Sequence, residues 1–594
     1  MRRNSASAFS ALIVPILYCH TALAKDGSCV PTEPTTSYEH HIFAVDEDGN
    51  ALRPKVKKCG TGYDARYSAT HVILEDEDVR RAKVQHHGPT QSPCDTLNDQ
   101  MQVALRGRKP LYDYLEAMFA DIRKSKPKEI IIYIHGGLNN IDSAIAKSAL
   151  LADRVGPDVY FIGICWNSNL MPTYDQHLLG IREGLHEPTR AILTVPAMLL
   201  ADIGGAAARL PLNATSFIEQ DLYTAYPRLF GRRRLAERRY DQIKNAAKNS
   251  KLQGLTVMDA KDQRPEVDRV ALDFGRWLVT YPIKLPSTLL LDIFGVQPWK
   301  NMLRRTRTMF ERESEFIPHL TYRDALALAK CPLVTHEQVN ATQLLDQLNY
   351  TGRKGAMWHF CRYLATGLWP RSESKCPKVT LIGHSMGAIV SCEMLQRFHA
   401  MPLDNVVFEA AACSIADFKT KVVPFLQEQN LRAQIAEMRP PNTSHVVKTH
   451  FYNLCLHDDA ENSEKNPGEF DLSQRGSLLT WIDTLYQSPE SENDRTFGRW
   501  VNAILATDDF PSDILDRITI KEFGRDRPRK EHEKGPVYTE DRRDTRNVVT
   551  EPIKHGQMTR FEQTSQKRRT NFKFWSKEYW KREPPSTTPS PSPH

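Results

Sequence analysis

The sequence predicts an α/β fold in which a mostly parallel sheet is flanked by helices. Residues 128–134 and 159–166 are short apolar runs rich in β-branched residues, as expected for strands buried on both faces. A helical pattern at residues 143–154 lies between them. Strand, helix and strand in this order form a βαβ unit, whose two strands are parallel. A later strand at 378–382 leads through a glycine-bounded turn into a helix at 388–399.

The other elements follow in chain order. Helices are predicted at residues 111–123 and 357–368, and strands at 40–45, 71–74, 405–411, 450–456 and 517–523. The chain then divides into a signal peptide (1–24), an N-terminal extension (25–110), a core (111–170 and 351–583), a helical insertion (171–350) and a disordered Pro/Ser/Thr-rich tail (584–594). The insertion interrupts the regular order before the strand at 378–382, where a cap or lid over a site could lie.

The insertion has two interpretations. Residues 191–210 are mostly apolar, but Pro196, Asp202 and the Gly204-Gly205 pair interrupt them, which disfavours a membrane span. A buried cap helix is favoured, and peripheral membrane contact is the alternative. Residues 299–310 mix apolar and basic side chains, a pattern that suits either a cap or a helix lying on an anionic bilayer. If the membrane interpretation holds, lipid esters become the natural substrates.

The N-terminus has the layout of a secretory signal. Arg2 and Arg3 precede an apolar stretch at residues 8–18, and Ala22-Leu23-Ala24 is a small-x-small cleavage pattern. We therefore expect a secreted, extracytoplasmic protein cleaved after Ala24; an uncleaved N-terminal anchor is the alternative. Export would permit disulfides, but the four cysteines in strand-like or helical apolar runs are expected to be buried free thiols: Cys165, Cys392, Cys413 and Cys455. Export would also permit glycosylation at four Asn-x-Ser/Thr sites: Asn213, Asn340, Asn349 and Asn442.

The overall charge gives no reason to expect a nucleic-acid partner. The 594 residues carry a formal net charge of +7, which is a mild excess over this length. Composition is that of a globular protein, with 40% hydrophobic and 25% charged residues. The cysteines show no zinc-type spacing, and we predict neither a metal nor a cofactor.

The turn Gly383-His384-Ser385-Met386-Gly387 is the strongest functional signal. The five residues alone are a weak motif, but they directly follow a strand and directly precede a helix. A sharp strand-to-helix turn puts the serine backbone in a strained conformation and brings neighbouring chain close to both glycines. The helix after Ser385 points its amide groups and positive dipole end at a developing oxyanion. We predict that Ser385 is a nucleophile; an incidental serine in a tight turn is the alternative.

A second oxyanion donor is predicted at the end of an earlier strand. His135-Gly136-Gly137-Leu138 closes the strand at 128–134, so the amide of Gly137 or Leu138 could meet that of Met386. His135 itself has two interpretations, a side chain that fixes the loop or a catalytic base. Chain order favours the first, because the base of such a site comes last in the chain.

The base is predicted after the last strand. His532 and His555 both follow it, and His532 lies in a charged run typical of a solvated loop. We favour His555, because a later aromatic-rich segment could anchor it: Phe572, Phe574, Trp575, Tyr579 and Trp580. The acid should lie between serine and histidine, after a strand end. Asp459 is ranked ahead of Asp458, both following the strand at 450–456, and Asp417 and Glu461 are the fallbacks.

The serine turn, the His-Gly-Gly loop and the order Ser, Asp, His resemble the α/β-hydrolase superfamily. The resemblance covers roughly residues 111–166 and 351–580, and it departs from one lipase and esterase group in having Leu138 where a third glycine would stand. It implies a serine hydrolase that cleaves carboxylic-ester-type bonds, lipase-like in character, on a small-molecule or lipid ester. Acyl transfer by the same triad and a non-catalytic binding protein on the same scaffold are the alternatives.

Overall fold

A ten-stranded sheet forms the centre of the protein. The computed structural model describes residues 36–59, 62–64, 72–74, 109–137, 139–179, 181–182, 185–186, 188–225, 231–248, 255–258, 270–312, 354–367, 376–437, 448–464, 476–487, 489–523, 552, 554–559 and 573–580. The strands of the sheet are β1 (Ile42–Val45), β2 (Ala51–Arg53), β5 (Val72–Ile73), β6 (Glu129–Ile134), β7 (Val159–Trp166), β10 (Thr256–Met258), β11 (Lys378–His384), β12 (Asn405–Glu409), β13 (His450–Leu456) and β14 (Ile518–Phe523). Two ribbons stand apart, β3 (Lys57–Cys59) with β4 (Gly62–Asp64) and β8 (Ile181–Arg182) with β9 (Leu185–His186).

Eight neighbouring strands of the sheet are parallel. Their order is β10-β14-β13-β12-β11-β6-β7-β1, and β2 and β5 continue one edge in antiparallel fashion. Because all eight run in the same direction, the loops after β6, β11, β13 and β14 leave the same edge of the sheet. The predicted α/β class with a mostly parallel sheet is therefore confirmed.

Fourteen α-helices are described, and the longest lie in the predicted insertion. They are α1 (Lys109–Ser125), α2 (Ile141–Arg154), α3 (Leu170–Leu179), α4 (Pro188–Ala225), α5 (Gly231–Lys248), α6 (Val270–Thr308), α7 (Ala356–Gly367), α8 (Met386–Arg397), α9 (Ile415–Asp417), α10 (Val423–Glu437), α11 (Asp458–Ser463), α12 (Leu478–Trp481), α13 (Trp500–Ala506) and α14 (Lys577–Trp580). Short 3-10 turns lie at Thr36–His41, Glu492–Asp494, Thr507–Asp509, Ser512–Arg517 and His555–Gln557, and π turns at Phe418–Val422 and Ile482–Tyr486.

Alternation along the strands builds a core on each face of the sheet. In β1, Phe43 and Val45 join the larger cluster that includes α1 and α7, whereas Ile42 and Ala44 pack with α2 on the other side. This alternation follows from the two-residue period of a strand. Since both faces are covered, β1 is an integral, fully buried strand of the sheet.

The insertion differs from the prediction in two respects. It is not wholly helical, because β10 pairs in parallel with β14 at the edge of the sheet. A three-residue strand is too short to show a period in the sequence. The favoured buried cap helix at 191–210 is also wrong: it belongs to α4, in which Leu200 and Leu212 are 69% and 70% exposed.

Several predictions about single residues can be compared directly. Cys165, Cys392, Cys413 and Cys455 are buried free thiols, as predicted. Cys361, predicted to lie in looser sequence, is a fifth buried free thiol. Asn213 is buried against Asp292, so this glycosylation site is inaccessible in the folded chain. The predicted signal peptide at residues 1–24 and the predicted disordered tail at 584–594 lie outside the described residues.

A buried ion network holds the segment after β13 to α13. Arg499 contacts the carboxylates of Asp458 at 3.2 Å and Asp483 at 3.3 Å, and it donates to the Asn462 side chain at 3.1 Å. All four side chains are almost fully buried. Asp483 also accepts hydrogen bonds from the Thr496 amide and the Asn502 side chain, so the network fixes the strand-end loops next to the parallel edge.

Replacing Arg499 with Met should lower the free energy of unfolding by about 3–5 kcal/mol, because two buried carboxylates lose their cation. Urea denaturation measures this loss. Arg239→Met is the matched control: its pair with Asp508 is partly exposed, so the expected loss is below about 1 kcal/mol. Equal small losses in both variants would contradict a supporting function of the Arg499 network.

Candidate active site

Ser385 lies at the tip of a strained turn between β11 and α8. Its φ of 51° and ψ of −116° place a non-glycine residue in a region that side chains rarely occupy. The turn is held by three backbone hydrogen bonds. The Ser385 amide donates to the Glu409 carbonyl at 2.9 Å, and the Ser385 carbonyl accepts from the amides of Ala388 and Ala412. Strain kept in place by surrounding bonds is typical of functional turns.

The two glycines of the turn are required by close packing. A Cβ atom at position 387 would overlap the carbonyl oxygen of Ile134, the last residue of β6. A Cβ at position 383 would lie 2.6 Å from the Ser391 Oγ and 2.9 Å from the Gly387 carbonyl oxygen. The first residues of α8 therefore lie directly against the end of the neighbouring strand, as the sequence predicts for a sharp strand-to-helix turn.

The His-Gly-Gly loop lies against the serine turn. A Cβ at Gly136 would be 2.8 Å from the Cβ of Ser385, and a Cβ at Gly137 would be 2.8 Å from the Sδ of Met386. This contact arises because β6 and β11 are neighbours in the sheet. Met386 begins α8, so its amide has no acceptor within the helix. Of the predicted oxyanion donors, Gly137 and Met386 are thus brought together, while Leu138 lies outside the described residues.

His135 fixes the loop through both of its ring nitrogens. Nε2 accepts from the Trp166 amide at 3.1 Å, so the proton is on Nδ1, which donates to the Gly136 carbonyl at 2.7 Å. Burial lowers the pKa of His135 to about 4, which keeps the ring neutral. With both nitrogens engaged, His135 holds the backbone of the loop and is not available as a base.

His555 lies beside the serine turn but is not hydrogen-bonded to Ser385. The His555 ring centroid is 5.3 Å from that of His384, and the His384 Nε2 lies 3.4 Å from the His555 carbonyl oxygen. Among the described residues, neither ring nitrogen of His555 nor the Oγ of Ser385 has a hydrogen-bond partner. Burial lowers the pKa of His555 to about 4. The predicted nucleophile and the predicted base therefore lie in the same region, but no hydrogen bond joins their side chains.

The aromatic segment anchors this histidine, as the sequence suggested. Phe574, Trp575 and Trp580 are buried, and the Tyr579 hydroxyl donates to the Met558 carbonyl at 3.0 Å, within the turn that begins at His555. Phe572 lies outside the described residues. The side chains of this aromatic segment thus hold the His555 turn against the core.

None of the predicted acids whose side chains are described forms a hydrogen bond with the His555 ring. Asp458 contacts Arg499 and Asn462, and it does not orient His555. Asp459, the first choice, lies in α11, and its side chain is outside the described residues. Asp417 caps α9 through Ser414 and pairs with Lys421 at 2.7 Å. Glu461 is fully buried, and burial raises its pKa to about 8.

Sequence reasoning missed Glu464, which contacts the histidine directly. Its Oε2 accepts a hydrogen bond from the His555 backbone amide at 3.0 Å. Burial raises the pKa of Glu464, and this hydrogen bond together with Lys554 opposes the rise. Glu464 follows β13 by eight residues, in the same loop region as Asp459, so its position was a usable signal.

Lys147 was also missed, and it joins three parts of the site. Its Nζ donates to the Thr559 hydroxyl at 3.0 Å and to the Tyr133 hydroxyl at 3.2 Å. It lies over the ring of Phe574, 5.9 Å from the centroid. Burial lowers the pKa of Lys147 to about 8, so the ammonium is mostly charged at neutral pH. A lysine on an amphipathic helix gives no sequence signal for such a position, because most are solvated.

Glu409 is a further buried titratable residue next to the serine turn. It ends β12 directly opposite His384 in the sheet, and its carboxylate oxygens have no hydrogen-bond partner among the described residues. Burial raises the pKa of Glu409 well above its usual range, and the positive charge of Lys147 opposes the rise.

The fold and the site together describe an α/β protein with a strained serine turn at the carboxyl edge of a parallel sheet. Comparison of the chain with protein-family models, curated proteins and solved structures finds no match. Among the described residues, no group of three or more His, Cys, Asp or Glu side chains could hold a metal ion.

Gly387→Ala should lower the free energy of unfolding by at least about 2 kcal/mol, because its Cβ would overlap the Ile134 carbonyl and force backbone movement. Chemical denaturation measures the change. Gly556→Ala is the control, since a Cβ there meets nothing within 4 Å, and its stability should stay within about 0.5 kcal/mol of the parent. A stable Gly387→Ala protein would contradict the close approach of β6 and α8.

Proposed function

We propose that the protein is a serine hydrolase of the α/β-hydrolase type that cleaves carboxylic-ester-type bonds. The observation that carries the proposal is Ser385 at positive φ between β11 and α8, with Gly136 and Gly137 packed against Ser385 and Met386. A tight turn whose serine had no function would not require this backbone strain at Ser385. The Ser385 hydroxyl is buried and has no hydrogen-bond partner among the described residues. It lies beside the loop and the helix start whose backbone amides would serve as oxyanion donors in acyl transfer.

The proposed reaction proceeds in two steps. The Ser385 Oγ attacks the ester carbonyl carbon and its proton passes to His555, while the amides of Met386 and Gly137 or Leu138 stabilise the oxyanion. Collapse breaks the bond to the leaving alkoxide, which takes the proton from His555 and departs as an alcohol. Water then attacks the acyl-enzyme and gives one proton to His555. Collapse breaks the bond to the Ser385 Oγ, which takes that proton back from His555, and the carboxylic acid is released.

This mechanism requires the His555 ring to rotate toward Ser385. The ring nitrogens have no hydrogen-bond partner among the described residues, so rotation breaks no hydrogen bond there. Catalytic hydrogen bonds are often long or unmade before substrate binds. The Nδ1 of a histidine lies close to its own backbone amide, so the Glu464 carboxylate at 3.0 Å from that amide is within reach of Nδ1 after rotation. Glu464 and Asp459 are therefore the two candidates for the orienting acid.

A fluorophosphonate probe should label Ser385 covalently in the intact protein. Ser385→Ala should abolish labelling, and His555→Gln should slow it by at least about 100-fold, because general-base catalysis contributes that much. Ser143→Ala is the matched control: this serine is exposed on α2, away from the turn, and labelling should be unchanged. Gel fluorescence and peptide mass spectrometry measure both the rate and the site of labelling. A folded protein that takes up no probe would contradict the proposal.

The two acids can be separated by a pair of isosteric variants. Glu464→Gln and Asp459→Asn each remove one charge with little change of shape. The variant of the true orienting acid should slow hydrolysis of a chromogenic ester by roughly 10⁴-fold, as for the corresponding change in a serine protease. The other variant should retain activity near that of the parent. Full activity in both variants would exclude both carboxylates from the triad.

One second candidate is a binding protein on a hydrolase scaffold, which is favoured by the lack of a hydrogen bond between the Ser385 and His555 side chains. That candidate predicts no covalent labelling but retained affinity for an ester or carboxylate ligand. If labelling occurs, product analysis with water and a competing alcohol distinguishes hydrolysis from acyl transfer.

A further inference from the structure

Helix α4 is polar on the side that faces the protein. Asp202 contacts His177 at 3.1 Å and Tyr174 at 3.3 Å, both on α3. Arg209 and Asn213 both contact the buried carboxylate of Asp292 on α6. Asp202, Arg209 and Asn213 are spaced by seven and four residues, so they lie on one face of the helix. The side chains of Asp202, Arg209 and Asn213 are therefore paired with groups of the protein body.

The opposite face of α4 is apolar and exposed. Between residues 197 and 212 every exposed position carries an apolar residue or glycine: Ala197, Leu200, Ala201, Ile203, Gly204, Ala207, Ala208, Pro211 and Leu212. Leu290 of α6, which packs against α4, is a further exposed leucine. This is the reverse of the pattern of a helix on the surface of a water-soluble domain, which turns its apolar face inward.

The length and hydropathy of this segment match a lipid bilayer. Thr194–Ser216 is long and apolar enough to cross a membrane, and only 11% of its most apolar window is buried in the protein. Its 23 residues extend about 35 Å, against about 30 Å for the hydrocarbon core of a bilayer. Polar and charged side chains of helices in lipid face the protein interior and pair with one another, as Arg209 and Asp292 do.

We propose that the exposed face of α4 lies against the acyl chains of a lipid bilayer. A protein partner is less suited to this face, because interfaces between proteins are enriched in aromatic residues and arginine and have a polar rim. The described face offers no charge and no aromatic ring. Hydrocarbon requires neither, and glycine and proline, present at Gly204, Gly205 and Pro211, are common in helices that contact lipid.

The location of α4 connects this surface to the candidate active site. α4 contacts α11, which follows β13, and the Ile482–Tyr486 turn. Binding to a bilayer through α4 would therefore bring the carboxyl edge of the sheet near the lipid. The proposal does not depend on hydrolase activity, since it rests on the polarity of the helix alone.

Flotation with phosphatidylcholine vesicles tests the proposal on the full-length chain. The parent should float with the vesicles, and Leu200→Lys/Leu212→Lys should bind at least 100-fold more weakly, about tenfold for each leucine withdrawn from lipid. The matched control is Leu235→Lys/Leu431→Lys, which changes two leucines that are 54% and 52% exposed on other helices and should bind like the parent.

Circular dichroism, light scattering and a Ser385→Ala variant serve as controls for the flotation experiment. All four positions are exposed, so circular dichroism should show native folding in both variants. A parent that does not float, whether monomeric or self-associated by light scattering, would overturn the proposal; self-association lost in the α4 variant would assign the face to a second copy. Ser385→Ala protein should float like the parent, so failure of the proposed chemistry and failure of membrane binding remain distinguishable.

Discussion

The close approach of the Ile134 carbonyl to Gly387 is the contact on which the rest of the site depends. No side chain fits between the end of β6 and the first turn of α8, so the two neighbouring strands must end at the same level. That position brings the His-Gly-Gly loop against Ser385 and sets the start of α8 at Met386. A single backbone contact thus determines where Ser385, Met386 and the His-Gly-Gly loop lie relative to one another.

Several buried titratable side chains lie near this contact, and burial shifts their pKa values in different directions. His135, His384 and His555 have pKa values lowered by burial, while Lys147 stays mostly charged with a pKa near 8. Burial raises the pKa of Glu409 well above its usual range, so its charged form is disfavoured. Burial thus disfavours the charged form of the three imidazoles, and Lys147 keeps a positive charge in the same region.

The insertion gives the molecule a second surface of unusual chemistry. Arg209 of α4 pairs with the buried Asp292 of α6, whereas Leu200 and Leu212 of α4 are exposed. A buried charge at a helix interface needs partners, and Arg209 and Asn213 supply them to the Asp292 carboxylate. The exposed leucines have no such partner within the described residues, and this asymmetry points to lipid as the missing contact.

The sequence by itself determined the features that depend on local pattern. The strands at 128–134, 159–166 and 450–456 match β6, β7 and β13 within a residue, because continuous β-branched runs have few alternatives. The serine turn was predicted from the strand before it and the helix after it. The buried thiols of Cys165, Cys392, Cys413 and Cys455 were predicted from their apolar surroundings in the sequence.

Tertiary structure alone decided which groups meet across the chain. Lys147 and Thr559 are separated by 412 residues, and Glu464 and His555 by 91, so no local period could reveal either contact. Asp458 looked like a triad acid until Arg499, which is distant in sequence, was found to occupy its carboxylate. The face that α4 exposes was equally hidden. An alternating polar and apolar helix has the same sequence pattern whichever face turns inward, and only its packing against α3 and α6 decides which one does.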